Sequence, residues 1–198
     1  VLAYFLFKDV MKENRRLQIL VQCLFQVMVS NICLILYILF CSVCLKTQSM
    51  LLLLSAPTIV ALVVQPIFLE KVLFKSKVNF SKHIIVATLA LISILLCSFV
   101  NVSEKTILIL HFILVGYSEE MLYRMIILDR MESSYTILES IVITSLIFAF
   151  LGHISEPILD NLMIRFPLGV FLAFIRIKFN NVGVSTIIHS LYNILVTF

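Results

Sequence analysis

The sequence predicts an all-α protein, a polytopic bundle of about seven transmembrane helices with its N-terminus in the cytoplasm. Three observations carry this expectation. Hydrophobic residues make up 62% of the 198-residue chain, against roughly 45–50% in a soluble domain. Charged residues are only 13%, about half the usual share. The basic residues also fall almost entirely into alternate loops between the apolar runs.

The apolar runs cover roughly 18–45, 50–69, 84–100, 106–128, 137–153, 161–177 and 182–198. Several approach the ~20 residues that a helix needs to cross the hydrocarbon. None alternates with period two, so helices are expected rather than barrel strands. With the N-terminus inside, the inner side receives Lys8, Lys12, Arg15, Arg16, Lys71, Lys75, Lys77, Lys82, Arg130, Arg176 and Lys178. The outer side receives Lys46, Lys105 and Arg165, and Arg124 lies within a run. This 11-to-3 split follows the positive-inside rule, with the C-terminus outside. The opening Val1–Phe7 is too short for a span and reads as a stub or an interfacial piece.

The net charge of +4 is spread over short loops with no interleaved aromatics, which excludes a nucleic-acid partner and leaves membrane lipid. Cys41-x-x-Cys44 has redox spacing, but no soluble α/β pattern surrounds it. The five cysteines therefore read as small helix side chains. No linker or repeat interrupts the chain. The working division places N-terminal helices and a basic cytoplasmic loop in 1–105, and the functional core in 106–198.

Buried polar residues mark that core. Glu119, Glu120 and Arg124 lie within one apolar run, where each charge costs about 2.5–3.5 kcal/mol at the bilayer centre unless paired. Glu120 and Arg124 stand i, i+4 with the carboxylate first, the favoured order for an ion pair. Glu119 points about 100° away, stacked with Gly116 and Tyr123. It is the uncommitted carboxylate, suited to general-base work. The last run carries Ser185, His189 and Asn193 at four-residue spacing, and the fifth ends at Gly152-His153. Two histidines, a carboxylate and an amide form a hydrolytic set. Glu119 and His153 could activate water while His189 and Asn193 bind an oxyanion. Alternatively, Glu119, His153 and His189 could hold a metal such as Zn²⁺. His83 reads as a surface residue, and His111 as a candidate to line the same cavity.

Depth poses one difficulty. Straight parallel helices, at about 1.5 Å per residue, leave His153 at the outer end of its run and away from Glu119. The stretch 152–160 is therefore expected to dip back into the bundle.

These residues resemble the motifs of the CAAX protease and bacteriocin-processing family of intramembrane peptidases, which includes the type II CAAX prenyl endopeptidases. Glu119-Glu120-Met121-Leu122-Tyr123-Arg124 matches Glu-Glu-x-x-x-Arg, and His189-Ser190-Leu191-Tyr192-Asn193 matches His-x-x-x-Asn. The second motif, Phe-x-x-x-His, keeps His153 but has Ala149 in place of the phenylalanine, between Phe148 and Phe150. The resemblance covers about 106–198. It implies a metallo- or glutamate-type peptidase that cuts a membrane-associated peptide or protein. Glu119, His153, His189 and Asn193 would be catalytic, supported by Glu120 and Arg124. It further implies a bacterial cytoplasmic membrane protein acting in bacteriocin processing, self-immunity or peptide signalling. The chain's shortness favours these roles over prenyl-protein processing. The competing readings are a non-catalytic membrane immunity protein and a small proton-coupled transporter.

Overall fold

A computed structural model describes residues 14–43, 50–74, 79–97 and 103–198. Val1–Phe7, Cys44 and Lys8, Lys12, Lys46, Lys75 and Lys77 lie outside the described residues.

Among the described residues every regular element is helical. There are seven helices: α1 (Arg15–Val43), α2 (50–72), α3 (Ser81–Cys97), α4 (Glu104–Glu132), α5 (Ile137–Leu151), α6 (Ile158–Phe179) and α7 (Val182–Thr197). Four contain segments long and apolar enough to cross a membrane: Arg15–Val43, Leu53–Val72, Glu104–Glu132 and Ile158–Phe179. The described parts of α3 and α7 are apolar helices of 17 and 16 residues. Helix α5 is shorter still.

Much of the surface is apolar, while several polar and charged side chains lie in the interior. Leu36, Leu39 and Phe40 of α1 and Leu191, Leu195 and Val196 of α7 are exposed, whereas Gln26, Glu120, Arg124 and His189 are buried. A lipid-facing exterior accounts for this inversion, because lipid tails solvate leucine while polar groups must find partners inside.

Local chemistry sets the helix ends. Ser103 caps α4 by accepting from the Thr106 amide. Thr136 and Glu139 form a reciprocal capping box that starts α5. Between α6 and α7 the chain reverses in two residues. Asn180 takes the left-handed conformation at φ 47°, which asparagine tolerates better than most residues. Asn181 then accepts from the Gly183 amide at 2.8 Å to cap α7.

Helix α4 is central. It packs on α2 on one side and α7 on the other. Gly116 lies so close to Ser190 of α7 that a Cβ there would collide with the serine hydroxyl. Small residues at a crossing allow this approach inside a membrane bundle. Three ion pairs join helices at the end richest in basic residues: Arg130–Glu70, Arg176–Asp129 at 3.0 Å, and Arg16–Glu139. Four stretches depart from α-geometry into π-turns: Val60–Val64, Met121–Ile127, Ile147–Leu151 and Asn161–Arg165. Three of these four lie beside the residues described next.

Candidate active site

Helix α4 delivers two neighbouring carboxylates into different surroundings. Glu120 and Arg124 are both fully buried, with Oε2 and Nε 3.5 Å apart. Glu119 keeps 16% of its side chain exposed and faces two histidines from two other helices. Its Oε1 lies 4.0 Å from Nε2 of His153, and its Oε2 lies 3.5 Å from Nε2 of His189.

Each imidazole is held through its other nitrogen. Nδ1 of His153 is 3.0 Å from the carbonyl oxygen of Phe148. A carbonyl can only accept, so Nδ1 carries the hydrogen and the Nε2 of a neutral ring is bare toward Glu119. Nδ1 of His189 is 3.0 Å from Oε1 of Glu120. Glu120 therefore serves Arg124 and also orients His189. The helical spacing of Glu120 to Arg124 gives no hint of the second contact, whose partner is 69 residues away.

Phe148 organises the aromatic wall. Its ring meets His153 edge-on at 4.8 Å, His189 at 5.9 Å and Tyr123 at 5.2 Å, and the guanidinium of Arg124 lies 5.1 Å from its centre. It stands five residues before His153, and the preceding turn is π-helical, with the Gly152 amide bonded to the Ile147 carbonyl at 3.1 Å. In a π-turn, residues five apart take the relation that residues four apart have in an α-helix. Phe148, one residue before Ala149, is thus the phenylalanine that packs on His153.

The expected dip of 152–160 does not occur in that form. Ile154, Ile158 and Leu159 are exposed at 76%, 76% and 68%, so the stretch runs over the surface of the bundle. Helix α5 ends at Leu151, and His153 turns inward from its end.

A cavity of about 370 Å³ opens beside these groups. His153, His189 and Asn193 line it with Phe148, Ile164, Arg165, Tyr192 and Val196. Asn193 lies one turn beyond His189 on the same helix. Of the other histidines, His111 bonds to Ser55 of α2 at 2.9 Å and, among the described residues, is not part of the cavity wall. His83 is not a surface residue: it is half-buried, stacked on Tyr117 and 3.1 Å from its hydroxyl.

Zinc sites need three protein donors converging on one point. Among the described residues no three His, Cys, Asp or Glu side chains are grouped so as to hold a metal ion. The two histidines approach opposite oxygens of Glu119 rather than one point, and no step is derived through a metal.

Residues 101–195 match the family of type II CAAX prenyl endopeptidases, Rce1-like. The match covers just under half of the chain. No curated protein and no solved structure matches the chain. The Rce1-like segment contains α4 to α7, and so all of Glu119, Glu120, Arg124, His153, His189 and Asn193. With its long apolar helices, the chain is a multi-pass membrane protein carrying a domain of a membrane-protease family.

Proposed function

We propose that the chain is an intramembrane endopeptidase that hydrolyses a peptide bond in a membrane-associated peptide or protein. The observation that carries this reading is the Glu119 carboxylate set between Nε2 of His153 and Nε2 of His189, two histidines that line a cavity.

The 4.0 Å gap between Glu119 and His153 suits one water about 2.8 Å from each group. Such a water donates one hydrogen to the carboxylate and one to the bare imidazole nitrogen. Its lone pair then faces the cavity. As the oxygen attacks the peptide carbonyl, Glu119 takes the proton. The oxyanion that forms is met by an N–H of His189 and the Asn193 amide. When the intermediate collapses, Glu119 returns its proton to the departing amine.

The apolar wall of Phe148, Ile164, Tyr192 and Val196 favours a substrate with apolar side chains. In a bacterial cytoplasmic membrane this activity would serve bacteriocin processing, self-immunity or peptide signalling. The positive-inside orientation is tested by membrane-impermeant thiol labelling of Lys82→Cys and Ser155→Cys, which should react from the cytoplasmic and outer sides respectively.

The deciding experiment incubates purified protein with a peptide library in detergent micelles and reads products by mass spectrometry. Glu119→Gln and His153→Ala should each remove cleavage while helix content is kept. Cleavage that survives Glu119→Gln would overturn the mechanism. Bacteriocin protection that survives it would favour the non-catalytic immunity reading, and ion-driven uptake into proteoliposomes would favour the transporter.

A further inference from the structure

Asparagine is an expensive residue in a membrane span, and Asn31 stands in the middle of α1, far from the Rce1-like segment. Its side chain donates from Nδ2 to the carbonyl of Leu151, 120 residues away, at 2.7 Å. That carbonyl is at the end of α5, where the last four carbonyls of a helix lack intrahelical partners. Beyond it come Gly152 and His153. Two residues further, the carbonyl of His153 receives Nδ2 of Asn161 at 3.0 Å and the Glu156 amide at 3.0 Å. Asn161 is itself oriented, because its Oδ1 accepts from Arg165 at 3.3 Å. The turn that carries His153 is therefore held by an asparagine amide on each side, one from α1 and one from α6.

We infer that Asn31 is a positioning residue for His153, with Asn161 as its counterpart, and that α1 forms part of the active-site framework. The inference rests on the peptidase reading for its catalytic consequence, but not for its geometry. The His153 ring is fixed to its own helix by the Phe148 carbonyl. Where that ring sits relative to Glu119 depends on how the chain leaves Leu151. Glu119 and His153 are already 4.0 Å apart, so a small drift loses the bridging water. Misplacement by about 1 Å can cost around 100-fold in rate.

The chain has four histidines, which makes ring nitrogen NMR of ¹⁵N-histidine-labelled protein in detergent a direct probe. Asn31→Leu and Asn31→Ala, both without a side-chain donor, should shift or broaden the His153 ring signals. The signals of His83 and His111 should stay in place. Two donor-free variants are measured so that failure of one to fold does not remove the readout. In the peptide-library assay kcat should fall about 10–100-fold with KM within about twofold. Asn31→Gln, which retains an amide donor, should recover most of kcat. Unchanged His153 signals in a folded donor-free variant would overturn the inference, as would equal impairment by Asn31→Gln and Asn31→Leu. If the wild-type protein cleaves nothing, the peptidase reading fails, while the NMR comparison still decides the positioning claim.

Discussion

His153 is bonded through Nδ1 to the carbonyl of Phe148, five residues earlier, at 3.0 Å. The stretch Ile147–Leu151, which contains Phe148, is wound as a π-turn. Deleting Ala149 restores the four-residue spacing of the family motif on paper, yet it removes the residue the turn accommodates. We expect the deletion to lower cleavage by about 100-fold or more, through the rotation of His153 away from Glu119. Phe148→Leu, which keeps the carbonyl and loses only the aromatic edge, should cost less than the deletion. Relative rates on one library peptide check both.

Glu120 neutralises a fully buried Arg124 and accepts from His189. Removing one member of a buried pair costs about 3–5 kcal/mol. Glu120→Gln should therefore lower thermal stability in detergent sharply. The double variant Glu120→Gln, Arg124→Met should regain much of that stability but not the activity, since His189 would still face an amide in place of its carboxylate. Circular dichroism melts suit this measurement, because the chain has no tryptophan.

Gly116→Ala forces a methyl group against the Ser190 hydroxyl and backbone. Overpacking of this kind costs about 1–3 kcal/mol. It should also lower cleavage, because Ser190 adjoins His189 and the shift moves α7 away from Glu119. Pairing it with Ser190→Gly should restore part of both losses.

The arrangement of Glu119, His153 and His189 leads us to expect cleavage without a bound metal. Purified protein should contain well under one zinc per chain by mass spectrometry of the elements, and exhaustive chelation should leave the cleavage rate unchanged. Loss of activity on chelation, restored by added zinc, would return the metal-centred alternative.

Much of this was legible from residues alone, and what was not has a physical cause. Periodicity and apolar length expose the helices. The i, i+4 spacing separates Glu120 from Glu119, and the polar stripe of α7 singles out His189 and Asn193. The contacts Glu120–His189, Asn31–Leu151 and Glu70–Arg130 join residues 60 to 120 positions apart, and no local pattern records such a pairing. A π-turn adds one residue without changing composition, so the packing of Phe148 on His153 stays hidden until the backbone is seen. Helix α5 stopping at Leu151 was hidden for the same reason, since Gly152 and His153 prolong an apolar run without prolonging its hydrogen bonding.

The two-residue reversal at Asn180 and Asn181 gives α6 and α7 the mechanics of tongs. The pivot is at one end, and the jaws that grip the cavity, Ile164 and Arg165 against His189 and Asn193, are at the other. From Asn181 to Asn193 the lever arm is about 18 Å at 1.5 Å per residue. A tilt of roughly 3° at the pivot then moves the Asn193 end by about 1 Å, the scale on which a near-attack geometry is won or lost. The left-handed asparagine that ends α6 thus fixes where α7 begins relative to a site it never touches.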